Sequence, residues 1–256
     1  MRPEERLGAA VEALHQELLR AGEDVAQIRC VLESRDPEDA QLVSLLRCAV
    51  PVRLLEFLGT TPPWALRPSV AAQIVLHPRS PRALSLRLVS SLYWRQLAEV
   101  AGTPHVPGAV RVRAEASLKD MLQDLRLGER ITLARLATPL IIRELLGERE
   151  PRILESLLEN PRLRVEELCA ALRSAGVTPT LIDAAARSQK WSERYEVKLE
   201  LARQPKTPLS VALLQVSSLV KRDLLRLAEA RELRPLLRMA AQRVAEGEGT
   251  SEDSDT

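Results

Sequence analysis

Aromatic residues are scarce in this chain, which has 3 Trp, 2 Tyr and 1 Phe among 256 residues. β sandwiches and barrels use Val, Ile, Tyr and Phe to pack their pleated faces, so the scarcity argues against an all-β fold. Leu, Ala, Arg and Glu are abundant instead, and these side chains lose little conformational freedom in a helix. The composition therefore predicts an all-α protein.

Cysteine and the common catalytic motifs are also sparse or missing. Cys30, Cys48 and Cys169 form no C-x-x-C pair, and this spacing predicts three small buried hydrophobes rather than disulfides or a zinc site. The chain has no H-E-x-x-H, no G-x-S-x-G, no P-loop and no dinucleotide-binding motif. We therefore expect no enzyme activity, no catalytic residue, no metal site and no cofactor.

Long apolar segments are absent as well. No run approaches the roughly 18 apolar residues that a membrane-spanning helix needs, and the first residues do not resemble a secretory signal. The sequence therefore predicts a cytoplasmic protein with no membrane partner.

The charges that are present divide the chain into three parts. Residues 1–60 carry 7 basic and 11 acidic side chains, whereas residues 61–244 carry 30 basic and 19 acidic ones. Residues 245–256 hold five acidic residues and no basic one, so we predict a disordered acidic tail there. We interpret residues 1–60 as an N-terminal helical cap with breaks near Gly22 and Asp36. A short seam could instead make a dimer contact; it consists of Leu7, Val11, Leu14 and Leu18.

An internal repeat dominates residues 61–244. Residues 64–97 align without gaps on residues 191–224 at a constant shift of 127, and both segments contain V-S-S-L near their ends. Weaker copies between them give five apolar anchors, at intervals of 40, 43, 44 and 40 residues: Val70, Val110, Ile153, Val197 and Leu237. Apolar residues recur at helical spacing inside each unit, with prolines between the stripes. Each unit is thus predicted to be a helix, a turn with proline and a second helix.

The repeats resemble a known architecture. The run P-x-x-V-R-x-x-A-x-x-x-L at residues 107–118 is similar to HEAT and armadillo repeats, and the turns H-P-R-S-P, N-P-R and Q-P-K-T-P resemble those of the bacterial leucine-rich repeat variant. This resemblance implies a right-handed α-solenoid of about five HEAT-like hairpins over residues 61–244. It also implies a bacterial scaffold or adaptor that binds another protein, because solenoids present extended recognition surfaces.

Four residues are predicted to contact the partner. Trp94 breaks the repeat, since Lys221 stands in its place, and Arg95 follows it directly. Arg111 and Arg222 complete the set. Trp64 and Trp191 recur at one repeat position, so we assign them to packing, and we assign His77, which takes the place of Asn160 and Gln204, to a hydrogen bond within a turn.

Nucleic acid is the alternative partner. Ten basic residues near the turns would form a phosphate-binding stripe if they shared one face, and would be an ordinary solvated surface if they did not. They are Arg79, Arg82, Arg87, Arg111, Arg113, Arg162, Arg164, Lys206, Lys221 and Arg222. One family of DNA glycosylases is similar in being built from HEAT-like repeats. With six aromatic residues in the whole chain, however, the walls of a base-flipping pocket are hard to assemble.

Overall fold

The fold is known from a computed structural model that describes the backbone of residues 3–247 and the side chains of residues 8–247. Every regular element in this part of the chain is helical, with eighteen α helices and one 3₁₀ turn. The prediction of an all-α protein is therefore confirmed. None of these helices is long and apolar enough to cross a bilayer.

The helices divide between two compact units, Met1–Asp124 and Leu125–Thr256. Residues 1–60, predicted as a cap, belong to the first unit together with four further helices. The helices of unit 1 are α1 Pro3–Ala21, α2 Val25–Arg35, α3 Asp39–Leu45, α4 Val52–Thr60, α5 Pro68–Leu76, α6 Arg82–Val89, α7 Trp94–Gly102 and α8 Gly108–Met121, with the 3₁₀ turn at Trp64–Leu66.

The described part of unit 2 contains ten helices. They are α9 Leu127–Leu136, α10 Pro139–Leu145, α11 Pro151–Leu158, α12 Val165–Arg173, α13 Pro179–Arg187, α14 Gln189–Ser192, α15 Tyr195–Arg203, α16 Leu209–Val216, α17 Lys221–Glu229 and α18 Pro235–Gly247. The last helix includes residues 245–247, the first three of the predicted acidic tail, and residues 248–256 lie outside the described part.

Within unit 1 the helices form two layers. One layer runs from α1 to α3, α5 and α7, and the other runs from α2 to α4, α6 and α8, because each helix contacts the helix two places further along the chain. Contacts between α5 and α6, and between α7 and α8, join the layers. The leucine seam of α1 is buried inside this unit through Val11, Leu14 and Leu18, and α1 contacts α2 and α3. These three residues thus pack within the unit, and the side chain of Leu7 lies outside the described residues.

Unit 2 repeats the layered pattern over its second half. The helices α12, α15 and α17 contact one another in sequence, and α16 packs against α18 in the other layer. The hairpins α15–α16 and α17–α18 join the two layers around a core of Ala, Val and Leu side chains. This arrangement exposes the outer face of α12, α15 and α17.

The shift of 127 residues found in the sequence extends well beyond the aligned segment. Helices α4, α5, α6 and α7 have the same first and last positions as α13, α15, α16 and α17 after the shift, and α8 begins at the position equivalent to the start of α18. The core positions agree as well: Val50 and Val177 are buried, as are Leu54 and Leu181. The two units are therefore two copies of one helical design from α4 and α13 onward.

The shorter period is not a structural repeat. Val70 and Val197 lie on equivalent helices, α5 and α15, whereas Val110, Ile153 and Leu237 lie on α8, α11 and α18. Helix α5 contacts α3 and α7, but α8 contacts α6, so the anchors belong to both layers. An interval of about 42 residues therefore does not relate equivalent helices, and five hairpins of one kind are not confirmed.

The prediction for the cysteines was wrong at two of three positions. Cys169 is buried on α12, and this burial raises the pKa of its thiol to about 11. Cys30 and Cys48 are exposed. Cys30 lies on α2 and Cys48 in the turn after α3, where apolar neighbours on the inner faces of the helices fill the core instead.

Candidate functional site

A groove on unit 2 lies between α12, α15 and α17 and has a volume of about 420 Å³. Its lining contains five arginines, four carboxylates and one tyrosine, all from these three helices or the residue before α15. The ionisable residues are Arg173, Arg194, Arg203, Arg222, Arg226, Glu166, Glu196, Glu200, Asp223, Tyr195 and Cys169. So many ionisable groups in one small concavity make this groove the candidate site.

Asp223 is the centre of the groove's hydrogen bonding. The Tyr195 hydroxyl donates to its Oδ2 at 2.7 Å, and Arg203 on α15 lies 3.4 Å from its Oδ1. Arg226, one turn along α17, lies 3.5 Å from the same oxygen, and Arg222 lies 3.9 Å from Oδ2. The hydrogen bond from Tyr195 and the three guanidinium groups hold the pKa of Asp223 below its ordinary value. The carboxylate therefore stays ionised and orients the arginines.

Glu200 forms a second buried charge beside α12. Arg173 Nε lies 3.3 Å from its Oε1, while its Oε2 is buried and has no hydrogen-bond partner. Burial raises the pKa of this carboxyl, and Arg173 and Arg203 partly offset that effect. A buried carboxylate oxygen without a donor is costly, so it marks a place where a further donor would be accommodated.

The carboxylates and the arginines of the groove differ in how deeply they are buried. The side chains of Asp223 and Glu200 are 3% and 8% exposed, whereas those of Arg222, Arg226 and Arg173 are 75%, 62% and 63% exposed. The buried carboxylates thus hold arginines whose outer faces meet the solvent. Glu166 and Glu196 are exposed at the lining and only partly balance this positive surface.

Unit 1 lacks this network at the equivalent positions. Leu46, Gln73 and Leu76 stand where unit 2 has Arg173, Glu200 and Arg203, and Pro68, Gln96 and Glu99 stand where it has Tyr195, Asp223 and Arg226. Because unit 1 builds the same helices without these groups, the fold does not require them. The network is an addition specific to unit 2.

A second concavity, of about 540 Å³, lies between α11, α13 and α14. Its ionic pair, Asp183 and Arg187, is one helical turn apart on α13, and both side chains are more than half exposed. Exposed pairs of this kind are ordinary surface features. We therefore regard this concavity as a weaker candidate.

Several basic residues of the predicted stripe have structural roles in turns. Arg79 Nη1 and Lys206 Nζ each lie 3.4 Å from a backbone oxygen at equivalent positions, Val50 O and Val177 O. Arg162 donates to Leu136 O at 2.8 Å. These cations bind carbonyl groups of the preceding helical segment, and a common face for all ten basic residues is not shown.

The residue two places before each of these cations completes the turn. His77 Nδ1, Asn160 Oδ1 and Gln204 Oε1 accept the backbone N–H of Arg79, Arg162 and Lys206 at 3.1, 2.8 and 3.3 Å. The other polar atom of each side chain bonds a carbonyl of an earlier segment, as in Asn160 Nδ2 to Ala134 O at 2.7 Å. The predicted turn role of His77 is thus confirmed.

The two repeated tryptophans are structural, as predicted. Trp64 and Trp191 are buried, and Trp64 packs on Phe57 with ring centroids 5.5 Å apart. Trp191 Nε1 donates to Leu158 O at 2.8 Å. Trp64 Nε1 is buried without a hydrogen-bond partner, which is a local difference between the copies.

The four predicted contact residues lie in different places. Trp94 and Arg95 begin α7, with Trp94 half-buried and Arg95 exposed, and Arg111 lies partly buried on α8 with its Nε enclosed and unbonded. Arg222 belongs to unit 2 and lines the groove. Arg95 and Arg222 are equivalent after the shift of 127, so both copies place an exposed arginine in the first turn of the same helix.

No family model, curated protein or solved structure matches this chain. Its site must therefore be interpreted from its own geometry. Among the described residues, no group of three His, Cys, Asp or Glu side chains is placed to hold a metal ion.

Six residues of the charged network in the groove were missed in the sequence: Arg173, Tyr195, Glu200, Arg203, Asp223 and Arg226. A comparison of the two copies would have found most of them. Positions that are apolar or neutral in one copy and charged in the other stand out once the copies are aligned, as Leu76 against Arg203 and Gln96 against Asp223 do. Only Arg222 among the predicted contact residues lies in the groove.

Proposed function

We propose that this chain is a non-enzymatic scaffold or adaptor that binds another protein through the groove of unit 2. One observation carries the proposal: the Tyr195–Asp223–arginine network occurs in one copy of a duplicated design and is missing from the other. Since the fold forms without the network in unit 1, binding is the better explanation for its presence in unit 2. Arginine and tyrosine are also frequent in the energetic centres of protein interfaces.

The layered packing inside each unit supports a related proposal about architecture. Helices that contact their neighbours two places along the chain are typical of HEAT-like solenoids, in which each repeat buries its apolar face against the next. We infer that each unit is a short helical stack of this type. Such stacks present extended concave surfaces that bind other molecules. The exposed thiols of Cys30 and Cys48 fit a reducing, cytoplasmic compartment.

Nucleic-acid binding remains the second candidate, because residues 61–244 have a clear excess of basic side chains. It has less support in the structure, since Arg79, Arg162 and Lys206 bind backbone carbonyls in turns. Nuclease treatment separates the two functions, because it removes a bound nucleic acid and leaves a bound protein in place.

The experiment compares proteins captured from a nuclease-treated native lysate by three tagged forms of the full chain. They are the unaltered protein, Arg222→Glu with Arg226→Glu, and the control Arg231→Glu with Arg243→Glu, which changes two exposed arginines of unit 2 outside the groove. We expect a protein that the unaltered and control forms retain and the groove variant loses. Equal capture by all three forms, or a partner that is captured from an untreated lysate but not from the nuclease-treated one, would overturn the proposal.

A further inference from the structure

We infer that the groove of unit 2 binds an acidic stretch of protein chain, an extended segment that carries several Asp or Glu side chains. The inference rests on the proposed protein-binding function and specifies the chemistry of the partner. Three features support it: the depth at which the charges lie, the buried oxygen of Glu200, and the size and composition of the groove.

The solvent-facing charge of the groove is positive. Arg173, Arg222 and Arg226 present guanidinium groups to solvent, while their carboxylate partners are buried beneath them. Asp223 is one charge shared among three arginines, so these guanidiniums keep donors that the protein does not saturate. A planar guanidinium matches a carboxylate with two parallel hydrogen bonds, which favours Asp and Glu side chains as ligands.

Glu200 supplies a second observation. This residue lines the groove, and its Oε2 is buried without a hydrogen-bond partner, so a ligand donor that reaches it would satisfy an unpaired acceptor. The main chain of an extended peptide carries one N–H donor per residue, apart from proline. An acidic peptide therefore offers carboxylates for the arginines and an N–H for Glu200, whereas a phosphodiester backbone offers acceptors alone.

The groove also offers little to the bases of a nucleic acid. Tyr195 is the only aromatic residue in its lining, whereas proteins that bind single strands stack successive bases on several aromatic side chains. A volume of about 420 Å³ holds a few side chains of a peptide.

The test measures the binding of fluorescein-labelled probes to the purified full chain by anisotropy. The acidic probe is Glu-Asp-Ser repeated three times, its neutral counterpart is Gln-Asn-Ser repeated three times, and a single-stranded oligothymidine of nine nucleotides represents nucleic acid. We expect the acidic peptide to bind at low salt and to bind more tightly than both other probes. We expect Arg222→Glu with Arg226→Glu to weaken this binding by about tenfold or more, and Arg231→Glu with Arg243→Glu by less than about twofold.

Glu200→Gln tests whether the ligand donates a hydrogen bond to Glu200. Glutamine already occupies the equivalent position of unit 1, at Gln73. We expect the variant to fold and to weaken binding of the acidic peptide by roughly three- to tenfold, because the loss of a buried, charge-assisted hydrogen bond outweighs the gain from removing one negative charge near exposed arginines. Equal binding of the acidic and neutral peptides, or tighter binding of the oligonucleotide, would overturn the inference. If the acidic peptide does not bind while groove-dependent capture of a protein persists, the inferred acidic ligand is wrong and the proposed protein-binding function stands.

Discussion

Tyr195 at the start of α15 donates its hydroxyl hydrogen to Asp223 on α17 at a distance of 2.7 Å. The bond ties two neighbouring helices of one layer at a position where unit 1 has Pro68 and Gln96. It also fixes the carboxylate around which Arg203, Arg222 and Arg226 gather. The buried, ionised carboxylate of Asp223 therefore organises this side of the groove.

Tyr195→Phe is expected to destabilise the protein by about 1 to 3 kcal/mol, because a buried carboxylate loses a hydrogen-bond donor. The ring still fits, since only the hydroxyl is removed. Chemical denaturation would measure the change in unfolding free energy. Tyr93→Phe is the matched control, because Tyr93 is 63% exposed and the same deletion there should have little effect. Equal stabilities for the two variants would show that the bond contributes nothing.

Asp223 also predicts how stability depends on pH. Its folded pKa is lowered from the reference value of 3.8, so the unfolded chain binds a proton there more readily than the folded one. The stability that this group contributes is present above pH 3.8 and is lost as pH falls through the folded pKa. Asp223→Asn is therefore expected to be less stable at neutral pH and to lose less stability on acidification below pH 3.8.

Unfolding free energies measured between pH 6 and pH 2.5 would check this slope. Asp183→Asn, at an exposed carboxylate on α13, is the control and should keep the wild-type pH dependence. A variant Asp223→Asn that is as acid-sensitive as the original protein would contradict the assignment.

Much of the fold could be predicted from the sequence. Helix content follows from composition, and the shift of 127 is visible because Trp64 and Trp191 fix the alignment of the copies. The equivalence of α4 and α13 was missed because these two helices share mainly buried apolar positions, such as Leu54 with Leu181 and Leu55 with Ile182. Packing constrains size and hydrophobicity at such positions and leaves the exposed residues to diverge.

The site could be predicted only in part. Arg222 was found as a member of a basic set, but charge counts cannot show which arginines face carbonyl groups, as Arg79 does, and which face solvent. In the sequence, Asp223 stands between Arg222 and Leu224 and resembles any exposed acidic residue of a helix. Its burial depends on Tyr195, 28 residues earlier, and helical periodicity carries no information about that pairing.

His77 predicts a second pH effect, in unit 1. Burial lowers the pKa of its imidazole from 6.5, and the ring bonds Cys48 O and the backbone N–H of Arg79. The unfolded chain therefore binds the proton more readily, and stability is lost as pH falls below 6.5 through the folded pKa. His77→Asn should keep the turn, because Asn160 fills the same role in unit 2, and should remove this loss.

Thermal unfolding midpoints of the original protein and of His77→Asn, measured between pH 8 and pH 5, would show whether the variant lacks this loss of stability. His105→Asn changes an exposed histidine in the turn before α8 and should leave the slope unaltered. The same slope in His77→Asn as in the original protein would mean that another group is responsible.

Asn160 is expected to be the most sensitive turn residue. It is fully buried, its Nδ2 donates to Ala134 O and Ala137 O at 2.7 and 3.1 Å, and its Oδ1 accepts from Arg162. Asn160→Ala leaves two carbonyl groups without this donor and should cost roughly 2 to 5 kcal/mol. Gln204→Ala, at a partly exposed residue with the same hydrogen-bonding role in its own turn, should cost less. A larger loss at Gln204, measured by urea unfolding, would contradict this ranking.

Truncation tests the acidic residues at the end of the chain. Cutting after Val244 would remove Ala245, which is 1% exposed in the core of unit 2, so we expect a lower unfolding midpoint.

Cutting after Gly247 leaves that core complete and removes Glu248, Glu252, Asp253 and Asp255. A tethered acidic segment competes with an acidic ligand through its high effective concentration, so the second truncation should tighten binding of the acidic peptide by about two- to tenfold at low salt. The gain should vanish at about 0.5 M salt, where charges are screened. Unchanged affinity at low salt would show that these four carboxylates do not compete for the arginines of the groove.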